Sequence, residues 1–250
     1  MKKLIFGLKN SGGRNNLGHI TSYHRGSGVK NRYRIIDFFR CIFDKPAKVI
    51  KKFKDPNRSS YIFLICYSNG LLSFILAVHN IGIGDFLFSS KLKGSTLGGC
   101  FFLGNIVRGS FIHNLEVKPF TGFKFIRSAG SSGVLLSKYN KNYYIVKLPS
   151  GEYRAFLMFN RATLGIVSNI NHRFNNNNKA GISRFLNKRP IVRGIAKNPV
   201  DHPHGGQTSG GINPVSPWAR LTKGGKKTIN NLSKNNRLIL KRRDKKKKNV

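Results

Sequence analysis

The chain has 250 residues, and its 46 Lys and Arg against only 8 Asp and Glu give it a formal net charge of +38. Self-repulsion at this charge opposes a compact state unless a polyanion neutralises it, and phosphate backbones are dense polyanions. The scarcity of carboxylates argues against an enzyme built on paired acids, and three scattered cysteines, Cys41, Cys66 and Cys100, argue against a disulfide framework.

The charge is unevenly distributed along the chain. Residues 1–60 carry 15 basic and 3 acidic side chains, residues 61–120 carry 4 and 2, residues 121–180 carry 9 and 1, and residues 181–250 carry 18 and 2. A nearly neutral, apolar middle between two basic ends predicts a folded core with extensions that bind a polyanion.

The first basic segment runs from Gly12 to Phe38 and mixes Arg, Lys and His with Gly and Tyr. Glycine lets a backbone approach a phosphate closely, and a guanidinium can bind that phosphate through two hydrogen bonds. Tyr23 and Tyr33 provide rings on which an unpaired base can stack. A solvated basic face would also fit this composition, but the density of Gly and Arg together favours contact with RNA.

The middle of the chain predicts β structure. Residues 61–67 are a run of β-branched and aromatic residues, a Ser-Asn-Gly turn signal follows, and residues 71–78 are apolar again. This pattern predicts a β-hairpin. A transmembrane helix over residues 61–78 is a weaker interpretation, because the stretch barely reaches the length of a span and the turn signal interrupts it.

Further short runs of apolar and aromatic residues follow at close spacing, separated by Gly and Ser. They are residues 86–88, 100–103, 111–112, 133–136, 143–148 and 153–157. No window shows a convincing helical period, and many short strands with Gly-rich turns are typical of small barrels. The sequence therefore predicts a mainly β fold.

The last part of the chain, residues 181–250, is basic and rich in Gly and Pro. Such a segment cannot bury enough apolar surface to fold alone, so we expect it to order only against a partner. Within it, Asp201, His202 and His204 stand together. A metal site would need another strong ligand, and acid–base chemistry would need a placed nucleophile, so a loop packed into RNA is the favoured interpretation.

Several motifs, in order along almost the whole chain, resemble the universal large-subunit ribosomal protein L2 family. The run Asp201-His202-Pro203-His204-Gly205-Gly206 is the most specific of them. The other motifs are residues 11–38, 55–59, 113–119, 127–130, 161–165, 192–194 and 198–218. One departure is Ala219, which stands where the family usually has Gly after Trp218.

The resemblance implies a basic N-terminal segment over residues 1–35, an oligonucleotide-binding (OB) type barrel over 36–95, an SH3-like barrel over 96–180 and a basic extension over 181–250 that penetrates ribosomal RNA. It implies direct binding of large-subunit rRNA near the peptidyl-transferase region, and contact with neighbouring ribosomal proteins and the small subunit. It implies neither an enzyme nor a membrane span. No cofactor is expected beyond Mg²⁺ or K⁺ ions shared with the RNA.

The motifs also indicate which side chains contact rRNA. They are Arg14, Asn15, Asn16, His24, Arg25, Lys30, Arg32, Arg34, Arg58, Arg127, Arg161, Arg193, Asn198, His202, His204, Trp218, Lys223, Lys226 and Lys227. A non-ribosomal RNA-binding or RNA-chaperone protein is the alternative function. The abundance of Phe, Tyr, Ile, Asn and Lys, which have AT-rich codons, and the sequence of residues 208–218 favour a mitochondrial protein. A plastid origin and an AT-rich bacterial origin are the alternatives.

Overall fold

The structure is a computed structural model, and it describes residues 4–26, 28–92, 94–206, 213–222 and 238–243. The described chain divides into two compact units. The larger unit comprises residues 1–8, 31–176 and 234–250, and the smaller unit comprises residues 9–30 and 177–233, each as far as those residues are described. Both units therefore combine segments from the two ends of the chain.

The prediction of a mainly β fold is confirmed. In chain order the strands are β1 (Ile5–Gly7), β2 (Arg32–Arg34), β3 (Ala47–Lys54), β4 (Tyr61–Tyr67), β5 (Leu72–Leu76), β6 (Phe86–Leu87), β7 (Cys100–Phe102), β8 (Phe111–His113), β9 (Leu115–Glu116), β10 (Phe123–Phe125), β11 (Gly133–Asn140), β12 (Tyr143–Lys147), β13 (Tyr153–Leu157), β14 (Arg161–Leu164) and β15 (Ile239–Lys241). Helical elements include α1 (Ala180–Phe185) and 3-10 turns at Leu103–Asn105, Ile170–Phe174 and Gly194–Ala196.

The first sheet has the strand order β5-β4-β3-β6, and its neighbouring strands are antiparallel. Strand β4 is apolar along its whole length because both of its faces are covered. Phe63 and Ile65 belong to one core cluster, whereas Ile62 and Leu64, which point the opposite way along the strand, belong to another. The two faces of β4 therefore pack against two separate core clusters.

The pair β4–β5 is the hairpin that the sequence predicts, and it is confirmed. Gly70 in its turn has a φ of +79°, a conformation that suits glycine. Residues 61–78 are therefore strands rather than a membrane helix. No helix within the described ranges has the length and apolar character needed to cross a membrane.

The second sheet has the strand order β15-β13-β12-β11-β8-β14-β7, and β9 pairs separately with β10. A third core cluster includes Leu103, Ile112, Leu115, Leu135 and Val146. Strand β15 pairs antiparallel with β13, so part of the segment that the sequence assigns to the basic extension lies in this sheet.

The smaller unit joins two segments that lie far apart in the sequence, and Asn187 connects them. Its backbone is left-handed, with a φ of +62°. Its Oδ1 accepts hydrogen bonds from Asn10 Nδ2 and Gly28 N, both at 2.8 Å, and its carbonyl accepts one from Gly26 N at 3.1 Å. This part of the basic extension therefore has ordering contacts within the chain, beyond those expected from a partner.

Candidate nucleic-acid interface

The loop that carries the paired histidines closes on itself through its backbone. The amide of His202 donates to the carbonyl of Asn198 at 3.2 Å, and the amide of Gly206 donates to Lys197 at 3.2 Å. The amide of Gly205 donates back to His202 at 2.8 Å, and a Cβ at Gly205 would overlap the backbone carbonyl of Asn198. Glycine is needed at position 205 because the chain passes so close to itself.

The ring of His202 has a fixed tautomer. The amide of His204 donates to its Nδ1 at 3.0 Å, so Nδ1 carries no proton and Nε2 carries it. The ring is only 7% exposed, and the two histidine rings lie 4.6 Å apart. Burial chiefly lowers the pKa of His202, and the nearby His204 and Lys197 lower it further, so the imidazole is neutral at neutral pH.

The second histidine anchors the segment that follows the loop. Nε2 of His204 lies 3.0 Å from the carbonyl of Asn213 and 3.2 Å from the amide nitrogen of Val215. When protonated, this nitrogen donates to Asn213, and when unprotonated it accepts from Val215. Either tautomer therefore holds residues 213–215 beside the loop.

A pocket of about 710 Å³ opens beside this loop, entirely within the smaller unit. Its walls include Tyr23, His24, Asn198, His202 and Trp218. Four of these are residues that the sequence analysis selects for RNA contact. The structure thus brings candidates from both basic segments to one place.

The N-terminal candidates lie on a turn that is held by its own hydrogen bonds. Oδ1 of Asn15 accepts from the amides of Leu17 and His19, at 3.0 and 2.9 Å, so this side chain shapes the turn. Arg14 and Asn16 are exposed on the same turn. Their side chains are therefore available to a partner, whereas that of Asn15 is already engaged.

The remaining N-terminal candidates combine one positioned ring with exposed charges. His24 Nδ1 donates to the carbonyl of Pro190 at 2.6 Å, which fixes the ring, and Arg25 and Lys30 are exposed. Arg193 and Asn198 are exposed in the C-terminal part of the unit. Lys223, Lys226 and Lys227 lie outside the described residues.

In the larger unit, a buried carboxylate organises two of the candidates. Asp55 is 2% exposed, and it pairs with Arg34 at 3.2 Å and with Arg58 at 2.5 Å. The guanidinium of Arg127 lies 5.0 Å from the ring centre of Phe38, and that of Arg58 lies 5.9 Å from it. Arg32 and Arg127 are exposed to solvent, whereas Arg34 and Arg58 are only partly exposed.

Arg161, which the sequence analysis selects for RNA contact, has a buried side chain in this structure. Its side chain is 1% exposed, and its Nη2 lies 2.7 Å from Oε1 of Glu116, whose side chain has no exposed surface. The Glu116 carboxylate also accepts from the backbone amides of Arg161, Phe120 and Gly122 at 3.0, 3.3 and 3.2 Å. Arg161 therefore closes a buried ion pair, and its surface is too small to receive a phosphate.

A row of lysines on β3 is a candidate that the sequence analysis missed. Lys48, Lys51, Lys52 and Lys54 are exposed along this strand. The ammonium of Lys52 lies 4.6 Å from the ring centre of Tyr61, which places a cation over an aromatic face. The signal was present in the sequence as basic residues interleaved with Ala, Val and Phe over residues 47–54.

The histidine loop does not resemble a metal centre. Across the described ranges, no group of three or more His, Cys, Asp or Glu side chains is placed to hold a metal ion. Asp201, His202 and His204, all among the described residues, are therefore not placed together as a set of metal ligands. The loop instead presents backbone groups and one neutral imidazole, and exposed basic side chains such as Arg25 and Arg193 belong to the same unit, a combination that suits a polyanion.

Comparison with known proteins gives matches along the chain. The family described as Ribosomal Proteins L2, RNA binding N-terminal domain, matches residues 1–89, and Ribosomal Proteins L2, C-terminal domain, matches residues 96–219. Large ribosomal subunit protein uL2 of Orientia tsutsugamushi (strain Ikeda) is 48% identical over 247 residues, covering 98% of this chain and 89% of that protein. Large ribosomal subunit protein uL2m of Reclinomonas americana is 46% identical over 249 residues, with coverages of 98% and 89%.

Proposed function

The chain belongs to the ribosomal protein L2 family, and we propose that it supports large-subunit rRNA beside the peptidyl-transferase region and the association of the two subunits. It is a structural, rRNA-binding protein of the large ribosomal subunit rather than an enzyme. Its partners are large-subunit rRNA and neighbouring large-subunit proteins. The location near the peptidyl-transferase region and the contact with the small subunit are the proposed part.

The observation that carries this function is the construction of the smaller unit. Its loop is held by backbone hydrogen bonds and close-fitting glycines, while its Arg and Lys side chains remain exposed. A rigid backbone with free cations is suited to a fixed polyanion, because phosphate contacts position a protein on RNA. A partner with many negative charges also offsets the self-repulsion of a chain whose net charge is +38.

We propose that the rRNA contacts come mainly from candidates with accessible side chains. They are Arg14, Asn16, His24, Arg25, Lys30, Arg32, Arg34, Arg58, Arg127, Arg193, Asn198, His204 and Trp218, joined by the lysines of β3. His202 is buried, and it contributes through its Nε2–H. Asn15 contributes through the turn that it stabilises, and Lys223, Lys226 and Lys227 are retained from the sequence analysis.

The two sheets support the proposed division into barrels. Strands β3 to β6 lie between residues 47 and 87, within the proposed OB-type region 36–95. Strands β7 to β14 lie between residues 100 and 164, within the proposed SH3-like region 96–180. We keep these boundaries, and those of the basic segments 1–35 and 181–250, as our proposal.

His202 has a supporting role in this proposal and is not a catalytic base. Its Nδ1 is occupied by the amide of His204, and its neutral imidazole is held within the loop. We therefore expect His202→Gln, which keeps an N–H donor, to leave the pH dependence of peptide-bond formation by assembled subunits unchanged. Loss of a titration near neutral pH in that rate would contradict the supporting role.

The proposed compartment is the mitochondrion, with the plastid as the alternative. The AT-type composition and the 46% identity to the uL2m protein of Reclinomonas americana support it. Bacterial relatives are similarly close, since uL2 of Rickettsia felis is 46% identical over 246 residues, covering 97% of this chain and 89% of that protein. Fractionation of organelles is therefore the measurement that decides the compartment.

The function itself is tested by sedimentation of an organelle lysate through sucrose at high salt, with mass spectrometry of each fraction. A ribosomal constituent is expected to travel in stoichiometric amounts with the large subunit, because buried extensions resist the salt that removes loosely bound proteins. A chain that stays at the top of the gradient would point to the alternative, a free RNA-binding or RNA-chaperone protein.

A further inference from the structure

We propose that the pocket beside Trp218 binds a single unpaired base of the RNA, which stacks on the exposed face of the indole. This inference rests on the proposed function, because it names a site for one nucleotide within the rRNA contact. The pocket lies within the smaller unit and has a volume of about 710 Å³.

Two aromatic rings at the pocket remain exposed. Trp218 is 63% exposed and Tyr23 is 52% exposed, and their ring centres lie 6.0 Å apart at an angle of 45°. A base held between two parallel rings needs about 7 Å, or twice the contact distance of carbon atoms. The rings are too close and too tilted for that arrangement, so the base stacks on the outer face of Trp218 while Tyr23 supports the indole.

The chain holds this indole in place with a tight turn. The amide of Ser216 donates to the carbonyl of Arg220 at 2.7 Å, and the amide of Ala219 donates back to Ser216 at 3.0 Å. On the other side, the bond from His24 to Pro190 fixes the residue next to Tyr23. A large aromatic ring that is exposed but rigidly mounted loses little conformational entropy on binding, which suits it to recognition.

Polar groups in the same pocket match the edge and the phosphate of a nucleotide. The neutral His202 has Nε2–H as its remaining donor, and this group has no hydrogen-bond partner among the described residues. Asp201 and Asn198 add carboxylate and amide groups, and Lys197 adds a cation. A base offers a π face and hydrogen-bonding edges together, whereas a polyphosphate offers only charge.

The high positive charge of the chain favours nucleic acid over protein as the occupant. An acidic peptide could form an ion pair with Lys197, but it would provide no planar group to stack on the indole of Trp218. A base stacks on tryptophan regardless of its sequence and brings the negative phosphate with it. The pocket therefore fits a nucleotide that is splayed out of a loop or bulge of the RNA.

Trp218 is the single Trp of the chain, so intrinsic fluorescence reports on this pocket directly. The experiment titrates the full chain with protein-free large-subunit rRNA and, separately, with inorganic polyphosphate, while co-sedimentation measures binding. Stacking is expected to quench the indole emission and to protect it from acrylamide in the rRNA complex only. Unquenched, accessible emission in a sedimenting rRNA complex would overturn the base site and leave rRNA binding intact. Absence of rRNA binding would overturn both proposals.

Variants give an independent readout of affinity. Trp218→Ala is expected to weaken rRNA binding by about 5- to 150-fold, the range that corresponds to one stacked base. Trp218→Phe keeps a ring and is expected to retain most of the affinity. Phe174→Ala, which removes a ring that is 64% exposed in the larger unit, is the matched control and is expected to change nothing. Equal losses in Trp218→Ala and Phe174→Ala would contradict a specific stacking site.

Discussion

At the scale of single residues, Ala219 shows how a departure from the family pattern is accommodated. It has a φ of +58°, in the left-handed region that glycine adopts without strain. The family usually has Gly at this place, so the sequence alone identified the position, but only the structure gives the reason. A non-glycine residue pays about 1–2 kcal/mol for that conformation.

We therefore expect Ala219→Gly to stabilise the turn beside Trp218. The strain relief is partly offset by the greater freedom of glycine in the unfolded chain, about 0.4–1 kcal/mol, which leaves a net gain of about 0.5–1 kcal/mol. Hydrogen exchange of the amides of Ser216 and Arg220 measures this gain locally. Ala196→Gly, at a residue without a positive φ, is the control and should lower stability.

His113 provides a second residue-scale prediction, on pH. The ring is fully buried, its Nδ1 donates to the carbonyl of Gly165 at 2.9 Å, and its Nε2 has no partner among the described atoms. Burial chiefly lowers its pKa from 6.5 to about 4, with a smaller lowering from Arg40, while the bond to Gly165 opposes the shift. The folded chain thus holds this imidazole neutral where the unfolded chain would protonate it.

The contribution of His113 to the free energy of unfolding is therefore fully present above pH 6.5. It is lost as the pH falls from 6.5 towards 4, because the unfolded chain then binds a proton that the folded chain does not. Between about pH 7 and pH 5 the free energy of unfolding is expected to fall by about 2 kcal/mol through this group. Urea unfolding at both pH values measures the loss. His113→Asn retains an N–H donor for Gly165 but does not titrate, so an equally steep pH dependence in that variant would assign the loss to other groups.

At the scale of elements, the success of prediction depended on whether the determining contacts were local. The β4–β5 hairpin was predictable because its turn residues and both apolar runs lie within residues 61–78. The buried place of Arg161 was not predictable, because it depends on Glu116, which lies 45 residues away in the sequence. Likewise, β15 pairs with β13 across a long separation and carries no strong strand pattern of its own. Local signals fix turns and strands, whereas burial of a charge depends on distant partners.

Asn187 is the element-scale test, because it joins segments of the smaller unit that are separated by 159 residues or more. Asn187→Gly keeps the left-handed backbone but removes the Oδ1 acceptor from Gly28 and Asn10. The loss is expected to cost about 1–3 kcal/mol, because a partly buried amide loses its partner. Faster hydrogen exchange at the amide of Gly28 is the measurement.

The control for that test is Asn80→Gly. Asn80 has the same kind of conformation, with a φ of +63°, and its side chain makes no hydrogen bond within the described residues. It should therefore change exchange rates little. Unchanged protection of Gly28 in Asn187→Gly would show that other contacts join the two segments.

At the scale of the whole molecule, the net charge of +38 raises the question of whether binding depends on all charges or on placed ones. Composition predicts only the total, since any arrangement of the same residues has the same charge. In the smaller unit Arg14, Arg25 and Arg193 are exposed. In the larger unit Lys124 on β10, Lys138 on β11 and Lys141 just after β11 are also exposed. Only the three arginines are among the proposed rRNA contacts.

Two variants with equal charge distinguish these cases. The first changes Arg14, Arg25 and Arg193 to Gln, and the second changes Lys124, Lys138 and Lys141, which are also exposed, to Gln. Each neutralised phosphate contact contributes about 0.7–0.9 to the slope of log K against log salt, so the first variant should lose about 2–3 from the slope of rRNA binding. The second should lose much less, because its lysines are outside the proposed contact. Equal losses of slope in the two variants would mean that the attraction to rRNA is spread over the whole surface. Arg14, Arg25 and Arg193 would then make no specific phosphate contacts.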